Sequence, residues 1–139
     1  MVVPGGEKKP GILKDQIIPA GTTVQLGTIS YTRGKKLWMT TRVTYNASAT
    51  DGITIRIYYT PIEELEDTSP LITEIPTFSA GSTVQETFNY SVPLNGKLRI
   101  EVQNNDENYD ATLTIIFQMD TYNYGESETY TSYNLTAVS

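Results

Sequence analysis

The sequence predicts an all-β protein, an antiparallel β-sandwich of jelly-roll or Greek-key type with about eight strands. Two observations carry this prediction. Apolar and polar residues alternate with a period of two along most of the chain, and an internal repeat returns after sixty residues. No long segment has the apolar spacing of a helix, so the crossover helices that a parallel sheet needs are not predicted.

The internal repeat divides the sandwich into two related three-stranded copies. The hexapeptide Ala-Gly-Thr-Thr-Val-Gln at 20–25 returns at 80–85 as Ala-Gly-Ser-Thr-Val-Gln. Apolar strand positions downstream match as well, so the copies are assigned to 20–60 and 80–120. The repeat leaves open whether each copy forms one sheet or contributes strands to both.

The individual strands follow from alternation that is interrupted by turn-forming residues. Asn, Asp and Gly are concentrated at 46–52 and 104–108, where tight turns need the backbone angles that these residues tolerate. Between such turns the predicted strands are 12–18, 23–27, 36–45, 53–59, 71–78, 84–92, 98–103 and 111–117. Glu86 takes an inward position on its strand, and we expect a β-bulge to turn it outward.

The 139 residues predict one domain with an extension at each end. Residues 1–16, with little apolar pattern, are assigned to an N-terminal arm, and 17–118 to the sandwich. Residues 119–139 are rich in tyrosine, and form either an arm that docks on another chain or an edge strand of the same domain. The acidic segment 61–70 links the copies and has room for one helical turn around Ile62 and Leu65.

Composition argues against several classes of function. The net charge of −6 is unfavourable for binding nucleic acid. The chain has neither cysteine nor histidine, and so lacks the commonest general base, the thiol nucleophile and the usual transition-metal ligands. No segment resembles a membrane helix or the apolar core of a signal peptide. We therefore expect a protein that is not an enzyme, has no cofactor, and binds neither nucleic acid nor membrane.

Outward-facing side chains that the second copy lacks are the first candidates for a binding surface. They are two aromatic and two basic residues of the first copy, Trp38, Tyr58, Arg42 and Arg56. Exposed aromatic residues beside arginines are typical of protein interfaces, and a flat ring can also stack on a sugar. Alternatively, an arm or the acidic linker covers Trp38 and makes it part of a satellite core.

Two further sets of residues are weighed as sites. The tyrosines of the C-terminal segment suit an interface because tyrosine offers a large contact area with few torsions to freeze: Tyr122, Tyr124, Tyr130 and Tyr133. The loop at 104–110 holds oxygen ligands, of which Asp106, Glu107 and Asp110 are candidates for calcium. The loop lacks the regular spacing of a calcium loop, so no metal site is predicted.

The 20–118 sandwich, the two arms and the lack of a secretion signal resemble small β-sandwich structural proteins of phages and archaeal viruses, such as decoration, spike or tail proteins. The resemblance implies a non-enzymatic subunit of a virion, assembled in the host cytoplasm. Its partners would be further copies of the chain or capsid and tail proteins. Two alternatives stay open: a carbohydrate-binding module that uses exposed aromatic residues, and an extracellular surface or pilus subunit.

Overall fold

The computed structural model describes residues 11–61, 64–122 and 130–138. These residues form nine strands in two antiparallel sheets and no helix, so the predicted all-β sandwich is confirmed. The strands are β1 (Gly11–Ile18), β2 (Thr23–Tyr31), β3 (Gly34–Tyr45), β4 (Ile53–Thr60), β5 (Ile72–Glu74), β6 (Thr83–Ser91), β7 (Gly96–Asn104), β8 (Ala111–Thr121) and β9 (Thr131–Leu135). Most of the predicted N-terminal arm and Ile62 of the predicted helical turn lie outside the described residues.

The strands alternate between the two sheets along the chain. The four-stranded sheet has the order β1-β8-β3-β6, and the five-stranded sheet has the order β5-β4-β7-β2-β9. Every connection crosses from one sheet to the other except that from β4 to β5. This alternation is compatible with a jelly roll.

The two copies of the repeat are interleaved, each contributing strands to both sheets. We call β1–β4 the first half and β5–β8 the second half. In the four-stranded sheet, and among β5, β4, β7 and β2, each strand is flanked by strands of the other half. Exchanging the halves converts the order β1-β8-β3-β6 into β5-β4-β7-β2, so the sequence repeat relates one sheet to the other.

The core lies between the sheets and is built from the inward positions that alternation predicted. On β4, Ile53, Ile55 and Ile57 are fully buried, as are their repeat counterparts Leu113, Ile115 and Phe117 on β8. Burying a side chain of this size stabilises the folded state by roughly 1.5–3 kcal/mol. What the copies share is therefore the pattern that holds the sheets together.

Several strand ends differ from the sequence-based bounds. β1 begins at Gly11, inside the segment assigned to the arm, and β8 continues to Thr121, past the predicted domain end at 118. Of the strand predicted at 71–78, only Ile72–Glu74 is paired. The differences arise because strand pairing satisfies backbone groups irrespective of side-chain polarity, whereas alternation reports only which side chains are buried.

Candidate functional site

The aromatic and basic residues predicted to share one surface lie on opposite faces of the sandwich. Trp38 and Arg42 project from β3 on the outer face of the four-stranded sheet. Arg56 and Tyr58 project from β4 on the outer face of the five-stranded sheet. The prediction of one surface shared by these four residues is therefore wrong, because consecutive strands of the repeat enter different sheets.

Trp38 lies on a polar face with a shallow groove. Its side chain is 38% exposed, and Asn89 on β6 and Gln118 on β8 are its cross-strand neighbours. Further along the same face, a groove of about 350 Å³ is lined by Lys14, Asp15, Thr40, Arg42, Gln85, Thr114 and Ile116. An accessible ring beside hydroxyl, amide and guanidinium groups provides the stacking and hydrogen-bonding chemistry that sugars need.

Tyr58 lies beside a network of charged side chains. The guanidinium carbon of Arg99 lies 4.4 Å from the Tyr58 ring centroid, and Arg99 Nε lies 2.9 Å from Glu66 Oε2. The hydrogen bond from Arg99 is the main reason that the pKa of Glu66 is lowered. Arg56 pairs with Glu101 in the same network at 3.5 Å. The acidic linker thus reaches this face through Glu66, and the Arg99 guanidinium stacks on the Tyr58 ring.

Tyr133 fastens the C-terminal segment to its own domain. Its ring lies against Gly11, where an added Cβ would approach Cδ1 to 2.5 Å. Its hydroxyl accepts a hydrogen bond of 2.8 Å from the Met119 backbone N–H, while β9 pairs with β2. Burial of the ring raises the pKa of the Tyr133 hydroxyl. Residues 131–135 are therefore an edge strand of this sandwich.

The other described tyrosines of the segment make different contacts. Tyr130 is 48% exposed, and its backbone exchanges hydrogen bonds with Thr32. Tyr122 is also exposed, with Lys35 Nζ lying 5.5 Å from its ring centroid. Tyr124 lies outside the described residues. The interface role proposed for these tyrosines stays a prediction.

Asp106, the first calcium candidate, is a buried carboxylate that organises two loops. Its Oδ2 accepts hydrogen bonds from the N–H groups of Thr50 (2.7 Å) and Asp51 (3.2 Å). Its Oδ1 accepts from those of Asn108 (2.8 Å) and Tyr109 (2.9 Å). These backbone donors, led by those of Thr50 and Asn108, lower the pKa of Asp106 to about 2.

The remaining calcium candidates do not join Asp106 in a ligand cluster. Asp110 Oδ1 accepts a hydrogen bond of 2.9 Å from the Ala20 N–H, and Glu107 is exposed. Within residues 11–61, 64–122 and 130–138, no three acidic side chains are grouped so as to hold a metal ion. The density of Asn and Asp in this loop is explained by the turns that they build.

Glu86 faces inward, and the predicted β-bulge is wrong. The pairing of β6 with β3 runs without a register shift from Ser91 to Thr83. The Glu86 carboxylate accepts hydrogen bonds from both the N–H (2.8 Å) and the hydroxyl (2.6 Å) of Thr77. The loop before β6 thus satisfies the carboxylate, so the strand has no need to bend.

The outer edge of β6 is the feature that the sequence reasoning missed. Tyr45 N–H donates to the Ser82 carbonyl, and Val92 N–H donates to the Lys35 carbonyl. With an unbroken register between these bonds, the even-numbered residues of β6 bond to β3. The odd-numbered residues therefore direct their N–H and C=O groups away from the sheet, and all of them are exposed: Thr83, Gln85, Thr87, Asn89 and Ser91.

The other edge strands of the described residues are protected against pairing with further strands, by a bulge or by short length. β1 has a register shift between Leu13 and Gln16, with Asp15 at a φ of 50°. β5 has three residues and β9 has five. β6 has nine residues, no proline, no lysine and a single acidic residue that points inward. Among the edge strands of the described residues, β6 is therefore the one that is both long and regular. Soluble proteins normally avoid such an edge.

A cleft of about 620 Å³ lies at the end of the sandwich where β2 turns into β3 and β6 into β7. Arg33 and Glu64 on its rim both have left-handed backbone angles, φ of 56° and 59°. Arg33 N–H donates to the Asn95 side chain at 2.9 Å, which holds the two turns together. Lys97 and Tyr130 also line the cleft, which therefore has charged groups of both signs.

The comparisons with known proteins identify no family. No protein-family model matches the sequence, and no curated protein matches it. Among solved structures, the chain is similar to one from the infectious bursal disease virus VP2 subviral particle, at 12% identity and a TM-score of 0.49, over 78% of this chain and 30% of that one. A chain of the Gx strain of the virus gives 12% identity and a TM-score of 0.48, over 79% of this chain and 30% of that one.

A third similar structure is the CBM22-1–GH10 part of xylanase 10B from Clostridium thermocellum, complexed with xylohexaose. The identity is 17% and the TM-score 0.46, over 68% of this chain and 19% of that one. The chain thus spans less than a third of each of these proteins. The identities and scores are too low to assign this chain a function of any of them.

Within the described residues, no helix is long and apolar enough to cross a membrane.

Proposed function

We propose that this chain is a non-enzymatic structural subunit that works in a protein assembly, and that the assembly is a virion. The observation that carries the proposal is the open edge of β6. Five consecutive odd-numbered residues each present one N–H donor and one C=O acceptor outward. Such an edge is a template for another strand, and proteins that work as monomers normally blunt it.

The packing beneath this edge supports the same proposal. The inward side chains of β6 are only half-buried, including the apolar residues Val84, Phe88 and Tyr90. Their counterparts on β3, in the middle of the same sheet, are fully buried. A strand added next to β6 would cover these side chains and satisfy the outward backbone groups in one step.

The kind of assembly follows from the resemblance drawn from the sequence. A small sandwich without cysteine or histidine, resembling viral decoration, spike and tail proteins, fits a virion surface or decoration subunit. Its partners would be proteins, either copies of itself or capsid and tail proteins. A cell-surface or pilus subunit would use the same edge, and location is what distinguishes the two.

The test is the location of the protein in the culture that naturally produces it. Particles are purified on a density gradient and probed with an antibody against the chain, by immunoblot and by immunogold electron microscopy. We expect the chain to band with the particles and the gold to lie on their surface. Label confined to cell envelopes would favour the extracellular alternative, and soluble label alone would contradict both.

A second candidate function is glycan binding on the outer face of the four-stranded sheet. The specific observation is the accessible Trp38 ring on the same polar face as the 350 Å³ groove. Trp38 is the only tryptophan, so its fluorescence reports directly on this face. Titration with a panel of soluble polysaccharides would shift the emission of the natural chain, with the change saturating, if this function is right. An unchanged spectrum throughout the panel would contradict it.

A further inference from the structure

We propose that the partner strand at the open edge is β6 of a second copy, antiparallel and centred on a two-fold axis at Thr87. This inference rests on the proposed use of the edge in assembly and names the partner there. Two copies of one strand can pair antiparallel because a two-fold axis places the same surface on both sides of the contact. The two four-stranded sheets would then join into one continuous sheet.

The residues of β6 that direct their backbone groups outward are the ones that this pairing places opposite each other. With Thr87 on the axis, Gln85 lies opposite Asn89 of the second copy, and Thr83 lies opposite Ser91. All of these residues direct their backbone groups outward. Each opposed pair can therefore exchange two bonds, giving about ten N–H···O bonds over the five pairs.

The side chains on the outer face are matched in the same register. Thr87 meets its own copy, and the flanking pairs join an amide to an amide and a hydroxyl to a hydroxyl. No charged side chain on this face of β6 meets another across the axis, and cross-strand Thr–Thr and Thr–Ser pairs stabilise antiparallel sheets. On the inner face, Val84 would lie opposite Tyr90, and Phe88 opposite Glu86, whose carboxylate is already bonded to Thr77.

Neighbouring registers are less favourable. Sliding one strand by two residues in one direction places Glu86 opposite its own copy in a close pair, where two carboxylates repel. Sliding it in the other direction leaves four opposed pairs in place of five. The register centred on Thr87 therefore combines the largest number of backbone bonds with no opposed like charges.

The first test measures self-association with a matched pair of lysine variants. Thr40 and Thr87 share one side-chain hydrogen bond of 2.9 Å and lie on the same outer face, but only Thr87 lies on the open edge. Thr87→Lys and Thr40→Lys therefore break the same bond and add the same charge. By analytical ultracentrifugation we expect a dimer of the natural chain, a dissociation constant raised at least about tenfold by Thr87→Lys, and little change with Thr40→Lys.

The second test determines the register by disulfide formation. The chain has no cysteine, so each introduced thiol is unique. Opposed residues in a hydrogen-bonded pair have Cα atoms about 5.5 Å apart, within the range that a disulfide spans. Under mild oxidation, Thr87→Cys should link to its own copy. Gln85→Cys should link to Asn89→Cys in a mixture, and neither of these should link to itself.

The outcomes separate this inference from the proposed function. A natural chain that stays monomeric at all concentrations, equal effects of the two lysine variants, or self-linking of Gln85→Cys in place of Thr87→Cys would overturn the two-fold pairing. If the natural chain is monomeric but Thr87→Lys alone is lost from the particles, then β6 docks on a different protein, and only this inference fails. If the dimer forms and the chain is absent from particles, the inference stands and the virion function fails.

Discussion

At the scale of single residues, Thr41 is a polar group inside the core. It is fully buried on β3, and its hydroxyl is the buried side-chain group without a hydrogen-bond partner in the described part of the chain. On folding, a buried hydroxyl of this kind loses its hydrogen bonds to water and gains none in the protein. This lowers the free energy of unfolding by about 1–3 kcal/mol. Replacing it by a methyl group of the same shape should therefore be favourable.

We expect Thr41→Val to raise the free energy of unfolding by about 1–2 kcal/mol, and the melting temperature by about 3–6 °C. Thr41→Ser is the matched control, since it keeps the hydroxyl and loses the methyl group, and it should lower stability by about 1 kcal/mol. Urea unfolding of the three proteins measures both effects. A destabilised valine variant would mean that a buried water satisfies the hydroxyl.

Asp106 makes the stability of the protein depend on acidity. Four backbone N–H groups hold its pKa at about 2, below the ordinary value of 3.8. Because the folded pKa is the lower one, the ionised carboxylate stabilises the fold above pH 4, and this contribution is lost as the pH falls from about 4 to about 2. Removing the ionisable group should remove that part of the pH dependence.

The measurement is urea unfolding at pH 5 and pH 2.5. Asp106→Asn should be less stable than the natural chain at pH 5 and should lose less stability on acidification. Asp51→Asn, which removes a neighbouring exposed carboxylate, controls for the change in net charge at this end. If the natural chain and Asp106→Asn lost equal stability, the four-donor site would not be the source of acid sensitivity.

At the scale of strands, β9 depends on one glycine of β2. Gly27 has a φ of 111°, and an added Cβ would lie 2.2 Å from the Asn134 carbonyl oxygen. Gly27 pairs with Leu135 and lies at the register shift between β2 and β7. A side chain here would therefore collide with the backbone of β9 and strain that of β2.

We expect Gly27→Ala to release β9, so that amide hydrogen exchange of residues 131–135 accelerates roughly tenfold or more. Gly21→Ala is the control, because Gly21 also has a positive φ, 65°, but its added Cβ would come no closer than 3.5 Å to Glu107. The control should weaken the fold slightly and leave β9 protected. Equal exchange at 131–135 in both variants would contradict the role of Gly27.

Strands were predictable from the sequence to the extent that their side chains alternate. β3, β4, β7 and β8 were found because one face of each is the core. β9 was left between two alternatives because its five residues hold only two large apolar side chains, Tyr133 and Leu135, within a mostly polar segment. Its place is set by backbone pairing with β2 and by the packing of Tyr133 on Gly11, which alternation does not report.

At the scale of the whole molecule, the candidate sites were less predictable than the fold. Trp38 and Tyr58 are outward-facing as expected, yet their separation depends on which sheet each strand enters. The open edge of β6 depends on which strand has no neighbour. Both are properties of strand order, and the repeat alone could not supply the order in which its copies interleave.

The interleaving leads to a prediction about two fragments of the chain, residues 1–66 and 67–139. All seven strand pairings of the described residues join a strand that precedes residue 66 to one that follows it. Neither fragment therefore contains two strands that pair with each other, and isolated strands are not stable in water. We therefore expect separate fragments 1–66 and 67–139 to be unfolded alone by circular dichroism, and to regain the native spectrum when mixed.

The control is the intact protein cut in place at a protease site inserted after Glu66, on the exposed linker. It should stay folded, because the cut breaks no strand pairing and leaves both halves in contact. Reassembly of the separate fragments should be slow and dependent on concentration, since every pairing is long-range in the chain. A cooperative thermal transition in either fragment alone would mean that one copy of the repeat folds by itself, and that the interleaved order is not what holds the sandwich together.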